Sequence, residues 1–241
     1  MDRLSKKHEF HCVKLISILI KFQKFRNSKS KIRNLYTMNT FDLSANDWDK
    51  NTVHTERSIA IAKKITELIE FKPGMKAMEF GAGTGLLSFR LKDSFASVTL
   101  IDSSQEMIRV SNEKISQSKA DNMKAIQIDF ETQELKQKFD IIYSQMVFHH
   151  IDDVSKMIQR FSGMLESGGL VAIADLYAED GSFHGEGFTG HNGFDPEWMS
   201  TVLLNYGFTG ISYSTCFVQK KANAEGIERE YPVFLIIARK P

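Results

Sequence analysis

The sequence predicts an α/β fold: a doubly wound sheet of seven strands, mostly parallel, with an antiparallel last strand. Three observations predict it. Helical and strand patterns alternate along the body of the chain, as units of strand, helix and parallel strand require. The run "LVAIADL" (170–176) is continuously apolar, which suits a central strand covered on both faces. The last two strand patterns, 208–220 and 231–240, are joined by only ten residues, "KANAEGIERE", too few for a helical crossover, so they pair antiparallel.

The elements follow in order. Thr55 can cap a helix whose face carries Ile61, Ile65, Leu68 and Ile69, and "KPG" (72–74) turns the chain after it. Strand one covers about 75–80 and leads through a glycine loop into a helix over 84–93. Strand two, "SVTLID" (97–102), ends in an acid, and a helix follows over 104–118. Strand three, "MKAIQID" (123–129), ends in another acid; strand four is "FDIIYSQ" (139–145). The helix over 152–167 stops at Gly168-Gly169 before strand five. A Gly/His/Phe-rich loop, 177–194, precedes a helix signalled by Asp195 as N-cap, Pro196 at its first position and Gly207 just past its end.

Formal net charge is +1 over 241 residues, unevenly spread. Residues 1–37 hold ten Lys/Arg against Asp2 and Glu9, a net +8, which leaves −7 for the rest. An acidic body argues against a nucleic-acid substrate, which needs clustered cations. Residues 1–37 read as a basic N-terminal extension. Met38, opening "MNTFDLSANDWDK", reads as a natural start, which makes 38–241 the folded domain. The extension also has the basic, acid-poor character of organelle-targeting peptides, but a cytoplasmic protein is the first expectation. Cys12 and Cys216 are the two cysteines, too few for a disulfide framework or a Cys-based metal site, and a reducing compartment fits. "VKLISILI" (13–20) is too short to span a membrane. A monomer or homodimer is expected.

The stretch "AMEFGAGTGLLSF" (77–89) places Gly81, Gly83 and Gly85 between a strand and a helix, the arrangement that lets backbone approach a nucleotide-like ligand. Dinucleotide loops want G-x-G-x-x-G; the spacing here is G-x-G-x-G, one residue tighter. S-adenosylmethionine (SAM) has no phosphate and carries cationic groups, which Glu79 suits and a pyrophosphate would not. Asp102, seventeen residues past Gly85, can accept both ribose hydroxyls of either cofactor. Asp129 can accept from the adenine amine, and Phe130 offers an apolar face.

With these residues in view, the chain resembles the class I SAM-dependent methyltransferases. "EFGAGTG" resembles their first motif, "LIDSS" the ribose motif, "IDF" the adenine motif, "FDIIYSQMVFHHIDD" the strand-four motif and "MLESGGLVAIAD" the helix-turn-strand after it. These five motifs stand in order across residues 75–176, and the final strand pair is similar to the family's antiparallel strand seven. The nearest subgroup looks like the small-molecule methyltransferases, with some similarity to ubiquinone/menaquinone C-methyltransferases, although the segment from Asp129 to Asp140 is short and lacks their Pro-Phe element. The resemblance implies a Rossmann-like domain, SAM as cofactor and S-adenosylhomocysteine (SAH) as product. It implies that Glu79 faces the SAM amino group, that Gly81, Ala82 and Gly83 line the methionine portion, and that Asp102 and Ser103 hold the ribose. Met107, Asp129 and Phe130 would lie at the adenine, and Ser144 and Gln145 near the methionine moiety.

Ligands of such sheets sit outside the carboxyl ends of the strands. That end holds His149 and His150 after strand four and His184, Glu186 and His191 after strand five. Methyl transfer needs alignment, exclusion of water and at times removal of a proton, which histidine suits near neutral pH. The candidate catalytic residues are therefore His150, His149 and His184. Trp48, His184 and His191 are expected to line the substrate site, with 177–194 as its lid. No metal is expected: His150, His184, Glu186 and His191 are ligand types, but no spacing fixes their geometry. The expected activity is methyl transfer from SAM to a small molecule, oxygen or nitrogen favoured. The rivals are an RNA or protein methyltransferase, for which "SQMV" lacks the NPPY-type signature, and a non-catalytic SAM-binding regulator.

Overall fold

A computed structural model describes residues 40–130, 132–222 and 226–241. The expected N-terminal extension, 1–37, lies outside the described residues. The chain divides into two units between Leu43 and Ser44. A short helix, α1 (Thr40–Ser44), spans that boundary, and everything below concerns the second unit.

Seven strands form one sheet in the order β3-β2-β1-β4-β5-β7-β6. They are β1 (Lys76–Phe80), β2 (Ser97–Asp102), β3 (Met123–Gln127), β4 (Phe139–Gln145), β5 (Leu165–Leu176), β6 (Thr209–Ala222) and β7 (Glu228–Arg239). β1 pairs in parallel with β2 on one side and β4 on the other. β7 runs antiparallel to both β5 and β6; the strand pair β6–β7 extends into the expected ten-residue connector and leaves only residues 223–227 between its strands. The strand order reverses between β1 and β4, so their carboxyl ends open the crevice where such sheets take ligands.

Five helices complete the unit: α2 (Thr52–Leu68), α3 (Leu86–Leu91), α4 (Gln105–Ser118), α5 (Val154–Met164) and α6 (Pro196–Asn205). Strand side chains alternate between two buried clusters. Ala77, Ala172 and Leu235 face the one that takes in Ile61, Ile65 and Leu87; Met78, Ile173 and Ile236 face the one that takes in Phe161, Met199 and Leu203. The continuous apolar reading of 170–176 follows from this double cover.

Several boundaries differ from expectation: β3 stops at Gln127, so Asp129 lies past the strand, β5 starts at Leu165, and the helix after the glycine loop covers only Leu86–Leu91. Helix α2 begins at Thr52, because Asn51 takes an extended backbone and its side chain accepts the Val53 amide at 3.1 Å; Thr55 lies inside the helix. Helix α5 ends at Met164, three residues before the expected stop, because Leu165 already pairs with Phe139 and is fully buried. Gly168-Gly169 therefore act inside β5. A Cβ at Gly169 would lie 2.8 Å from the Glu166 carbonyl, so the shift in register there needs glycine. Asp195 and Pro196 cap α6 as predicted, the Asp195 side chain accepting the Glu197 amide at 2.9 Å.

Candidate active site

The loop after β1 carries three glycines in the left-handed region: Gly81 at φ +64°, Gly83 at +54° and Gly85 at +81°. Their surroundings differ. A Cβ on Gly81 would sit 2.3 Å from Val147, and one on Gly85 2.6 Å from Leu100, so protein packing fills both spaces. A Cβ on Gly83 would meet nothing closer than 3.8 Å, where it finds the Met107 sulfur and the Trp48 indole nitrogen. Gly83 is thus the loop position open to a ligand, between Met107 below and Trp48 beside it. The turn Trp48–Lys50 is clamped to this loop: Asp49 accepts from the Thr84 hydroxyl at 2.5 Å and from the Lys114 ammonium at 2.6 Å.

Asp102 ends β2 with one carboxylate oxygen accepting the Gly83 amide and the other the Ser104 amide, both at 2.8 Å. The carboxylate thus ties the glycine loop to the end of β2. Ser103 is exposed beside it, and Met107 is buried. Asp129 caps a turn, accepting from the Thr132 hydroxyl at 3.0 Å. Phe130 departs from its expected role. Its ring stacks on Phe80 with centroids 5.5 Å apart and is buried in the core, so its face is taken by protein. Ala82 is buried and its amide bonds to Ile101. Gln145 accepts from the Ser58 hydroxyl at 3.1 Å.

Glu79 also behaves differently from a surface ligand for an ammonium. It is wholly buried, and one of its oxygens accepts the Ser88 amide in the first turn of α3, at 3.1 Å. Burial pushes its pKa up to about 8, against the pull of Ser88. Its other oxygen, and the Ser144 hydroxyl on neighbouring β4, are buried without a partner among the described residues. Unsatisfied polar atoms at the ends of both crevice strands suit a polar ligand seated there.

Three histidines converge at the carboxyl ends of β4 and β5. His149 and His150 lie in the turn Phe148–His150, and Val147 just before it packs on Gly81, which sets this turn against the glycine loop. His149 is 2% exposed and its Nδ1–H donates to the fully buried Asp175 at 2.6 Å, leaving Nε2 as its acceptor nitrogen. Asp175 is held in turn by the Leu176 amide at 2.7 Å. The loop over 177–194 delivers His184, whose ring centroid stands 4.9 Å from that of His149 and 5.6 Å from that of His150. Phe188 stacks on His184 at 3.8 Å. Burial lowers the pKa of His150 to about 4 and that of His184 to about 4, the neighbouring histidines adding to the effect, so both rings are neutral at pH 7.

His191 stays outside the cluster: its Nε2 bonds to the Ile151 carbonyl at 3.0 Å and its amide to the His149 carbonyl at 2.8 Å. It secures the loop, and Phe188 takes the lining position expected of it. Glu186 is exposed and away from the three rings. Two participants escaped the sequence reading. Asp175 ends a strand in the pattern "IAD", the same signal that singled out Asp102. Arg57 on α2 is 6% exposed, bonded to the Gln219 amide oxygen at 2.8 Å, with its Nε unpartnered and its pKa lowered to about 10 by burial against the opposing charge of Asp175. Nothing in a helical pattern marks an arginine as buried.

An open sheet of this order, with a glycine loop tied to the acid at the end of β2 and polar groups gathered at the switch point, defines an α/β protein built to hold a nucleoside-bearing cofactor. Residues 71–194 match the family model described as a methyltransferase domain, and the chain belongs to the class I SAM-dependent methyltransferases. A methyltransferase of Schizosaccharomyces pombe is 30% identical over 170 residues, 64% of this chain and 58% of that protein. Malonyl-[acyl-carrier protein] O-methyltransferase 1 of Ilyobacter polytropus is 30% identical over 99 residues, 40% of this chain and 36% of that protein. The chain thus spans less than two thirds of the length of these relatives. Phosphoethanolamine N-methyltransferase 2 of Haemonchus contortus, solved with SAM, superposes with a TM-score of 0.61 at 19% identity, over 77% of this chain and 52% of that one; it shares the fold.

The residues present fit SAM. Gly83 is open, its amide is held by the acid at the end of β2, and Glu79 and Ser144 carry the orphaned polar atoms just described.

Proposed function

We propose that this chain transfers the methyl group of SAM to the oxygen or nitrogen of a small-molecule acceptor, with SAH as product. The observation that carries the acceptor reading is the roofed histidine cluster. His149, fixed by buried Asp175, follows closely on Val147, which packs on Gly81, and the loop over 177–194 brings the His184 and Phe188 rings to 4.9 and 6.2 Å from it. A site enclosed in this way suits a small acceptor better than a segment of RNA or protein.

When bound, SAM supplies a methyl carbon already activated by its sulfonium. The protein's work is to hold the two partners in line and keep water out. Asp102 anchors the ribose end while fixing Gly83, and Trp48 and Met107 bound the space over that glycine. Asp175 holds His149 through Nδ1, so Nε2 faces away from it, toward the place where an acceptor's proton or hydrogen bond would be met. His150 and His184, neutral at pH 7, extend the same polar wall.

Calorimetric titration with SAH, with NAD as control, tests the cofactor. Micromolar binding of SAH and none of NAD is expected, and Asp102→Ala should abolish the first while the far-ultraviolet dichroism stays native. Unchanged affinity in that variant would remove Asp102 from the site. A screen of small hydroxyl and amine acceptors, read by SAH formation, then tests the acceptor class; turnover on RNA or protein alone would overturn it.

A further inference from the structure

We infer that His149, His150 and His184 bind one divalent cation of the zinc class, with Asp175 orienting His149 and one coordination position open. The ion site stands on the geometry alone. Its use, holding the heteroatom of the methyl acceptor in the open position, rests on the function proposed above, and with the ion in place the ion, not Nε2 of His149, is what that heteroatom meets.

The three residues each place a ring nitrogen within 4.8 Å of the others, a convergence found at this one place among the described residues. With Zn–N bonds of about 2.0–2.1 Å, three imidazoles around one tetrahedral ion have centroids about 5 Å apart. Here the separations are 4.2, 4.9 and 5.6 Å. Closing on an ion asks for small side-chain rotations.

The support around the rings is of the kind metal sites use. A ligating histidine commonly donates its other N–H to a carboxylate, which fixes its plane and raises its basicity. His149 makes that bond to Asp175 at 2.6 Å, both groups being buried. His184 brings a second, independent sign: its Nδ1 is buried and has no hydrogen-bond partner among the described residues. A buried acceptor left unpaired costs about 1–3 kcal/mol, which a bound ion would relieve. Phe188, stacked at 12° to the His184 ring, limits how that ring can turn.

The donor set selects the ion. Three imidazoles suit zinc and its neighbours over magnesium or calcium. Among the described residues no thiolate is at hand, since Cys216 bonds to the Val233 carbonyl and burial pushes its pKa up to about 12. Three protein ligands with a free position is the composition of a catalytic zinc site. The expectation of no metal rested on the lack of any spacing that fixes the geometry of His150, His184, Glu186 and His191; the fold brings His150 and His184 together with His149, and Glu186 and His191 are not in the group.

The test uses the full chain, stripped with chelator and dialysed. Zinc titration should give one ion per chain, and cobalt in its place should give the visible absorption of a tetrahedral nitrogen site. His184→Ala should lose at least 100-fold in zinc affinity and lose that absorption. Asp175→Asn should lose 10- to 100-fold, the usual range for a ligand's carboxylate partner. Should the buried Asp175 variant fail to fold, His150→Ala takes its place, with the same expectation as His184→Ala. No zinc binding by the wild type, or equal binding by wild type and His184→Ala, would overturn the proposal; the second result would point to ligands such as His8, His11 and Cys12. SAH binding by the same stripped protein is measured in parallel. Loss of SAH binding alone would sink the proposed function and leave the metal site standing, and loss of zinc alone would do the reverse.

Discussion

Glu79 gives the sharpest physical prediction, because its carboxyl is fully buried and pushed up to about 8 from an ordinary 4.5. The folded group holds its proton more tightly than the unfolded one. Between about 4.5 and about 8 the native state therefore keeps a proton that the unfolded state has released, and raising the pH through that window removes stability. At about 1.4 kcal/mol per pH unit the full effect is bounded near 5 kcal/mol. That is a large part of the 5–15 kcal/mol typical of a domain. The perturbation is Glu79→Gln, which keeps an oxygen for the Ser88 amide and removes the titration. Thermal and urea unfolding of both proteins are followed from pH 5 to pH 9. Wild type should lose stability relative to the variant as pH rises, with a difference in Tm that changes by about 10 °C or more across the range. Parallel pH profiles for the two proteins would refute the reasoning, since every other titrating group is common to both.

The glycine loop separates packing from binding. Gly81→Ala drives a Cβ to 2.3 Å from Val147 at φ +64°, and should cost about 2–4 kcal/mol by overpacking and left-handed strain together. Gly83→Ala meets nothing within 3.8 Å and should cost only about 1–2 kcal/mol in chemical denaturation, yet weaken SAH binding at least tenfold. Equal stability losses in the two would contradict the contrast drawn between them. Phe161, fully buried among Phe80, Phe148 and their neighbours, should cost about 3–5 kcal/mol on change to Ala, read as a lower urea midpoint with an unchanged slope.

Much of this protein could be read from local pattern. Strands β2 and β4 fall on 97–102 and 139–145 as the sequence predicts, because each is an apolar run bounded by turn residues and buried on both faces. The cap of α6 is legible because Asp195 and Pro196 act on their own neighbours in the chain. The antiparallel last strand follows from a connector too short for anything else. The acid at the end of β2 is legible too, and the bond from the Gly83 amide to Asp102 gives it a definite task. The misplaced ends, at Asn51 and at Met164, were decided by competing local partners that propensity ranks about equally.

By itself the sequence determined the order of elements, the glycine loop and which residue types stand at the carboxyl ends of the strands. Those properties depend on neighbours a few positions apart. Only the tertiary structure decided which of those residues meet. His184 lies thirty-five residues from His149, Asp175 twenty-six, and Arg57 far earlier in the chain. Their approach is set by strand order and by the path of one loop, and no periodicity encodes either. The same holds for Glu79 and Phe130, whose places in the motif say nothing of the Ser88 amide or the Phe80 ring that occupies each of them. Contact between distant segments is settled by how the layers pack, which is why the carrier of the chemistry was visible in one dimension and its partners in three.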